Sequence, residues 1–177
     1  MSLKHAILVL LETEPGSGYD LLKQFKEGLG YFWNASHQQI YQQLKVLLEQ
    51  DFISCNNIKQ TDKPDKKVYD ITAKGVEELK QWLSAQVKPN KTNDALLVKV
   101  FGGHLIDQNN LLEEIEAHQA LHQKTLQSLL SIEQSYLSLP PEKQANYKLP
   151  YLTLRRGIIG EQAWLSWAEE ALESIKK

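Results

Sequence analysis

The stretch Ser36 to Ile53, SHQQIYQQLKVLLEQDFI, constrains this chain more than any other. Ser36 is a good helix N-cap, and Gln39 stands three residues on, where the partner in a capping box belongs. Ile40, Leu44, Leu47 and Leu48 recur at helical spacing and predict one buried face. Gln38, Tyr41, Gln42, Lys45 and Glu49 then point outward, with no carboxylate before the C-terminal end. Amides, a phenol and an ammonium can reach base edges and phosphates in a DNA major groove. A plain surface helix with a solvated polar face carries the same pattern, so the flanking sequence has to separate the two.

Upstream, Leu3 to Glu12 predicts a helix with Ala6, Ile7, Leu10 and Leu11 as its buried stripe, ended by Glu14-Pro15-Gly16. Ser17 predicts the cap of a second helix, with Asp20 in the S-x-x-D position and Tyr19, Leu21, Leu22 and Phe25 as its apolar residues. Gly28 and Gly30 close it, and Tyr31-Phe32-Trp33 leads to the Ser36 helix. Three short helices joined this tightly have the spacing of a helix-turn-helix. Downstream, Phe52 to Asn56 and Lys67 to Ile71 read as strands around a polar, Pro64-containing tip. A hairpin directly after a helix-turn-helix is the wing of a winged helix. Lys59, Lys63, Lys66 and Lys67 lie on or beside it, where phosphate is within reach. Thr72 caps a helix from about Ala73 to Gln86, with Val76, Leu79, Lys80 and Leu83 on one side and Trp82 as packing. The polar stretch VKPNKTN marks a boundary near residues 87–93, giving domains 1–88 and 89–177.

The second half predicts helices alone. Asp94 to Leu105 is one, weakened by Gly102-Gly103. Asp107 caps a long one, about Gln108 to Leu137, stopped by Pro140-Pro141. A last helix after Leu149-Pro150 runs to about Ile175, with Leu154, Ile158, Trp164, Leu165, Ala168, Leu172 and Ile175 as its apolar side. Two helices this long lack the mass to bury both stripes alone, so a second copy is expected to cover them. Leu111, Ile115, Leu126, Leu129, Leu154, Ile158, Leu165, Trp164 and Trp167 are the expected dimerisation residues.

Composition bounds the function. The chain has 177 residues, an apolar fraction of 42% and a net charge of −2, enough for a core but with no global basic field. Residues 1–88 hold eleven lysines, no arginine and eleven carboxylates, a balance of zero. DNA contact would have to come from a local patch, and a protein-interaction scaffold is the rival reading. The single Cys55 excludes an internal disulfide and suits a reducing cytosol. The N-terminal apolar run is too short for a membrane span, so a cytoplasmic chain with no membrane partner is expected.

At this point the residues resemble a family. Gly18-Tyr19-Asp20, Ser36-x-x-x-Ile40-Tyr41-x-x-Leu44 and Lys67-Val68-Tyr69-x-Ile71-Thr72-x-x-Gly75 are similar to the PadR family of winged-helix transcription regulators. Val98-Lys99-Val100-Phe101, Leu154-Arg155-Arg156-Gly157 and Ala163-Trp164-Leu165-x-Trp167-Ala168 resemble its helical C-terminal domain. Gly30 to Gln39, Lys63-Pro64-Asp65 and Leu152 to Arg156 look like the AphA-type virulence activators within it. The resemblance implies a mainly α fold, with an N-terminal winged helix and a C-terminal dimerisation domain of long, antiparallel, coiled-coil-like helices. It implies a homodimer on a partly palindromic double-stranded DNA operator, in a bacterial virulence or stress regulator. Some relatives sense flat aromatic compounds between the dimer helices, so it also allows a small-molecule effector.

On this basis Ser36, His37, Gln38, Gln39, Tyr41, Gln42, Lys45, Lys63, Lys66 and Lys67 are the expected DNA-binding residues. Family members often carry arginine on the helix and wing; glutamine and lysine stand here. Lysine does not fork to guanine as arginine does, whereas glutamine pairs with adenine, so an A·T-leaning site is expected. No catalytic constellation or phosphate loop stands out, and no enzyme activity, cofactor or metal is expected. His118 and His122, at i and i+4 with Glu114 a turn back, share the spacing of a metal face, but an interface or solvated face fits them better.

Overall fold

A computed structural model describes residues 3–27, 33, 35–58, 66–89 and 93–177. The chain divides into two compact units, Met1–Pro89 and Asn90–Lys177.

The first unit runs α1 (Leu3–Thr13), α2 (Gly18–Glu27), α3 (His37–Glu49), β1 (Ile53–Ile58), β2 (Lys66–Ile71) and α4 (Ala73–Ser84). Its helices start where short-range side-chain hydrogen bonds replace the missing intrahelical acceptors. Asp20 Oδ2 accepts from the Ser17 amide at 2.9 Å and from the Ser17 hydroxyl at 2.7 Å. The Ser36–Gln39 capping box is complete in both directions. Thr72 Oγ1 accepts from the Gly75 amide at 3.0 Å. The core is Ile7, Leu8, Leu11, Leu21, Phe25, Ile40, Leu44, Leu47, Ile53, Tyr69 and Leu79. β1 and β2 pair antiparallel, from Ile53 opposite Ile71 to Ile58 opposite Lys66. Asp51, at φ 58°, makes the sharp turn from α3 into β1.

Several expected faces are corrected. Tyr19 is 72% exposed, not core. It precedes Leu21 by two residues, about 200° around a helix, so it faces away from the Leu21–Phe25 stripe. On α1 the buried set is His5, Ile7, Leu8 and Leu11, with Ala6 and Leu10 only partly covered. His5 goes in because Trp82 stacks on its ring at 4.4 Å and Glu78 hydrogen-bonds it. Leu83 is 61% exposed, because Gly75, Leu79 and Trp82 turn the face of α4 that meets α1. Gly28, Gly30, Tyr31 and Phe32 lie outside the described residues; Trp33 packs against the core.

The second unit contains α5 (Ala95–Phe101), a 3₁₀ turn (Gly103–Leu105), α6 (Gln108–Leu137), α7 (Pro141–Asn146) and α8 (Lys148–Ile175). The single helix expected from Asp94 to Leu105 breaks at Gly102, whose amide caps the end of α5 on Val98 and Val100. Asp107 caps α6 as expected. Pro150 sits inside the first turn of α8 rather than before it; no intrahelical donor is needed there.

The long helices run antiparallel. Leu111 and Ile115, near the start of α6, pack with Ala168 and Leu172 of α8, while Leu126 and Leu129 pack with Ile158 and Leu165. At the far end Glu133 accepts from Tyr151 at 3.0 Å and from Arg155 at 2.9 Å. One seam between these stripes is covered without a second copy, while Leu121, Leu137, Leu152 and Ile159 on the same helices stay exposed. Leu111, Ile115, Leu126, Leu129, Ile158 and Leu165 are buried within one chain, because each long helix is the other's partner. Leu154, Trp164 and Trp167 are partly covered at the edges of the same seam.

Candidate nucleic-acid interface

α3 buries Ile40, Leu44 and Leu47 and leaves Gln38, Tyr41, Gln42 and Lys45 exposed along its other side. Its first turn contains no acidic residue to offset the positive end of the helix dipole. Ser36 and His37 stand exposed at that end. His37 lies against the Tyr41 ring with centroids 4.4 Å apart, which narrows the orientations open to the phenol.

Gln39 is exposed, but its side-chain oxygen accepts from the Ser36 amide at 2.8 Å. A bidentate grip on adenine needs both amide atoms, so Gln39 serves the cap while Gln38 and Gln42 remain available. The Lys45 ammonium is 3.9 Å from Glu49, a loose pair on an exposed face.

Two contacts set the surroundings of α3. At Gly18 a Cβ would come within 2.6 Å of the Tyr41 ring, so α2 approaches the exposed helix as closely as its backbone allows. On the wing, Lys67 is exposed, but Lys66 ion-pairs with Asp20 at 2.8 Å. That ammonium and the two Ser17 donors hold the Asp20 carboxyl at about 2, well below the ordinary aspartate value. Lys63 lies outside the described residues, as does Lys59.

The residues that sequence reasoning placed on the helix therefore come together on one face, with Lys67 on the wing. What it missed is the Gly16–Asp20 turn. Asp20 was legible as a cap, but its second partner, Lys66, lies far along the chain, and no local pattern announces it. The close approach of Gly18 to Tyr41 left one sign, a glycine at the very start of an amphipathic helix.

In the second unit, His122 Nδ1 donates to Glu161 Oε2 at 2.6 Å, and the His122 ring stacks on Trp164 at 3.7 Å. Glu114 pairs with Lys99 at 2.7 Å. His118 also faces Trp164, with ring centroids 6.3 Å apart, so the two histidines share one aromatic neighbour while Glu114 turns to Lys99. No helix among the described residues is long and apolar enough to cross a membrane.

Comparison with known proteins agrees with this architecture. Residues 7–81 match the PadR-like family of transcriptional regulators, and residues 92–176 match the C-terminal domain of the alpha virulence activators. A probable transcriptional regulator of Mycobacterium tuberculosis is 33% identical, covering 100% of this chain and 99% of its own. Bacillus subtilis PadR in complex with operator DNA is 32% identical over 98% of both chains, with a TM-score of 0.84. The same protein has been solved with p-coumaric acid, at 30% identity over 99% of this chain and 96% of that one, TM-score 0.77. The Vibrio cholerae virulence activator AphA is 30% identical over 99% of this chain and 98% of its own, TM-score 0.79. With both halves matched in order and whole-length relatives above 30% identity, this chain belongs to the PadR-like family of transcriptional regulators, a family of regulators rather than enzymes.

Proposed function

We propose that this regulator binds a partly palindromic DNA operator as a homodimer, with Tyr41, Gln38, Gln42 and Lys45 entering the major groove. The observation that carries this is the exposed face of α3 from Gln38 to Lys45, with no carboxylate before Glu49, at a helix N-terminus whose first turn holds no acidic residue. Bacillus PadR, solved on operator DNA, supports it. Ser36 and His37 meet phosphate at the head of the helix, and Lys67, together with Lys63, meets backbone in the flanking groove. Glutamine on the reading face favours A·T pairs at the centre of each half-site. The half-sites lie one helical turn, or a multiple of it, apart.

The first unit serves as the DNA-binding domain and the second as the dimerisation domain. α6 and α8 cover each other along one seam, and the apolar surface left for a second copy lies both on the outer faces of the long helices, at Leu121, Leu137, Leu152 and Ile159, and on and after α5. Leu97, Val98, Phe101 and Leu105 are exposed there, and Phe101 is 92% so. A regulator of this kind works in the cytoplasm, beside the chromosome. The p-coumaric acid complex of Bacillus PadR supports control by a small aromatic acid.

Selection of bound duplexes from a random pool, followed by titration at several salt concentrations, tests the assignment. Gln42→Ala should change base preference. Lys67→Ala should weaken binding to all sequences and reduce the salt slope by about 1. If both variants bind as the parent does, the roles are wrong. If the parent retains no duplex at all, the winged helix is an interaction scaffold instead.

A further inference from the structure

The first turn of α2 touches both elements that would grip DNA. Gly16 exchanges two backbone hydrogen bonds with Tyr69 of β2, at 3.0 Å and 2.8 Å, so the loop before α2 acts as a third rung beside the wing. Gly18 abuts Tyr41 of α3. Asp20 holds Lys66, which lies opposite Ile58 on the last described rung of the hairpin. A two-stranded ribbon alone is marginally stable and twists freely. Past the Gly16–Tyr69 bridge, the Asp20–Lys66 pair ties the outer wing to α2 among the described residues.

We propose that Asp20 and Lys66 are positioning residues for operator binding: the pair holds the wing at a set distance from the recognition helix, and Lys66 acts through Asp20 rather than on phosphate. This rests on the DNA-binding reading above. Its consequence runs against simple electrostatics. Asp20 is a carboxylate on the side of the fold that would face DNA, and its removal should by charge alone strengthen binding. As one half of a tether, its removal should weaken it, because fewer molecules hold the wing where both grooves are met at once.

Asp20→Asn separates the two, since asparagine keeps an oxygen for the Ser17 cap and loses the ion pair. Full-length parent, Asp20→Asn, Lys66→Met and the double variant are titrated against a duplex selected by the parent. Amide hydrogen exchange across residues 66–71 is followed in the same proteins without DNA. The expected loss in Asp20→Asn is about two- to fivefold, the population equivalent of an exposed ion pair. Lys66→Met should lose as much, the double variant no more than either, and the salt slope should fall by much less than 1. Wing amides should exchange faster in all three variants. An Asp20→Asn protein that binds equally or more tightly overturns the proposal, as does a Lys66→Met protein whose slope falls by about 1. If the parent binds no duplex, the DNA-binding reading fails by itself. The exchange data then still decide the tether: unchanged wing exchange overturns it, and faster exchange supports it.

Discussion

Gly75→Ala should destabilise the first unit, although helix propensity alone says the opposite. Gly75 is the third residue of α4, where alanine is worth about 1 kcal/mol more than glycine in a helix interior and less at its end. The structure places a Cβ there 2.0 Å from the Phe52 carbonyl oxygen and 2.9 Å from Ile71 Cγ1. The first of these is backbone and cannot rotate away. α4 must therefore lift off the turn between α3 and β1, and overpacking of this kind costs about 1–3 kcal/mol. The same movement strains two hydrogen bonds across that turn, Thr72 N to Phe52 O at 3.1 Å and Thr72 Oγ1 to Asp51 O at 2.7 Å. Losing one adds about 1 kcal/mol. The net expectation is a loss of about 2 kcal/mol. Urea unfolding followed by far-UV circular dichroism measures it, with the two units allowed separate transitions. An alanine variant as stable as the parent would refute the argument, because the backbone clash would then have been absorbed at no cost.

Gly18→Ala should push the Tyr41 ring, since three of its atoms lie within 2.8 Å of the new Cβ. Tyr41 is 41% exposed and can swing outward, so DNA affinity should fall more than thermal stability. In a Tyr41→Ala background, Gly18→Ala should no longer change stability through that clash, and thermal melts of the four proteins read the difference. Burial, against an opposing hydrogen bond from Glu78, lowers the His5 pKa below 6.5. The unfolded chain therefore binds more protons than the native one just below that pH. His5 contributes stability that is complete above about pH 6.5 and lost as pH falls through its folded value. Urea midpoints taken from about pH 7.5 to about pH 5 should fall less steeply in His5→Gln than in the parent; parallel curves would count against it. Phe101→Glu should raise the dimer dissociation constant by at least about tenfold, as the lost burial of one aromatic side chain requires. Light scattering across a dilution series reads this directly, and an unchanged dimer would move the interface elsewhere.

What the sequence determined by itself is what depends on neighbours within a turn or two. Ser36 with Gln39, Ser17 with Asp20, Thr72 with Gly75 and Asp107 with the α6 amides are contacts of two or three residues' separation, so helix starts were legible. The Ile40–Leu44–Leu47 stripe was legible for the same reason, because helical period alone sorts one face from the other. With it came the exposed face of α3 and, through the resemblance, the family. The tertiary structure alone decided which surfaces meet. It turned Tyr19 and Leu83 outward, drew His5 under Trp82, and gave Lys66 to a carboxylate far away in the chain. It also closed the α6 and α8 stripes on each other. A hydrophobic period says that a face must be covered, but the covering element is set by chain reversals and by the backbone distances that residues such as Gly18 and Gly75 permit.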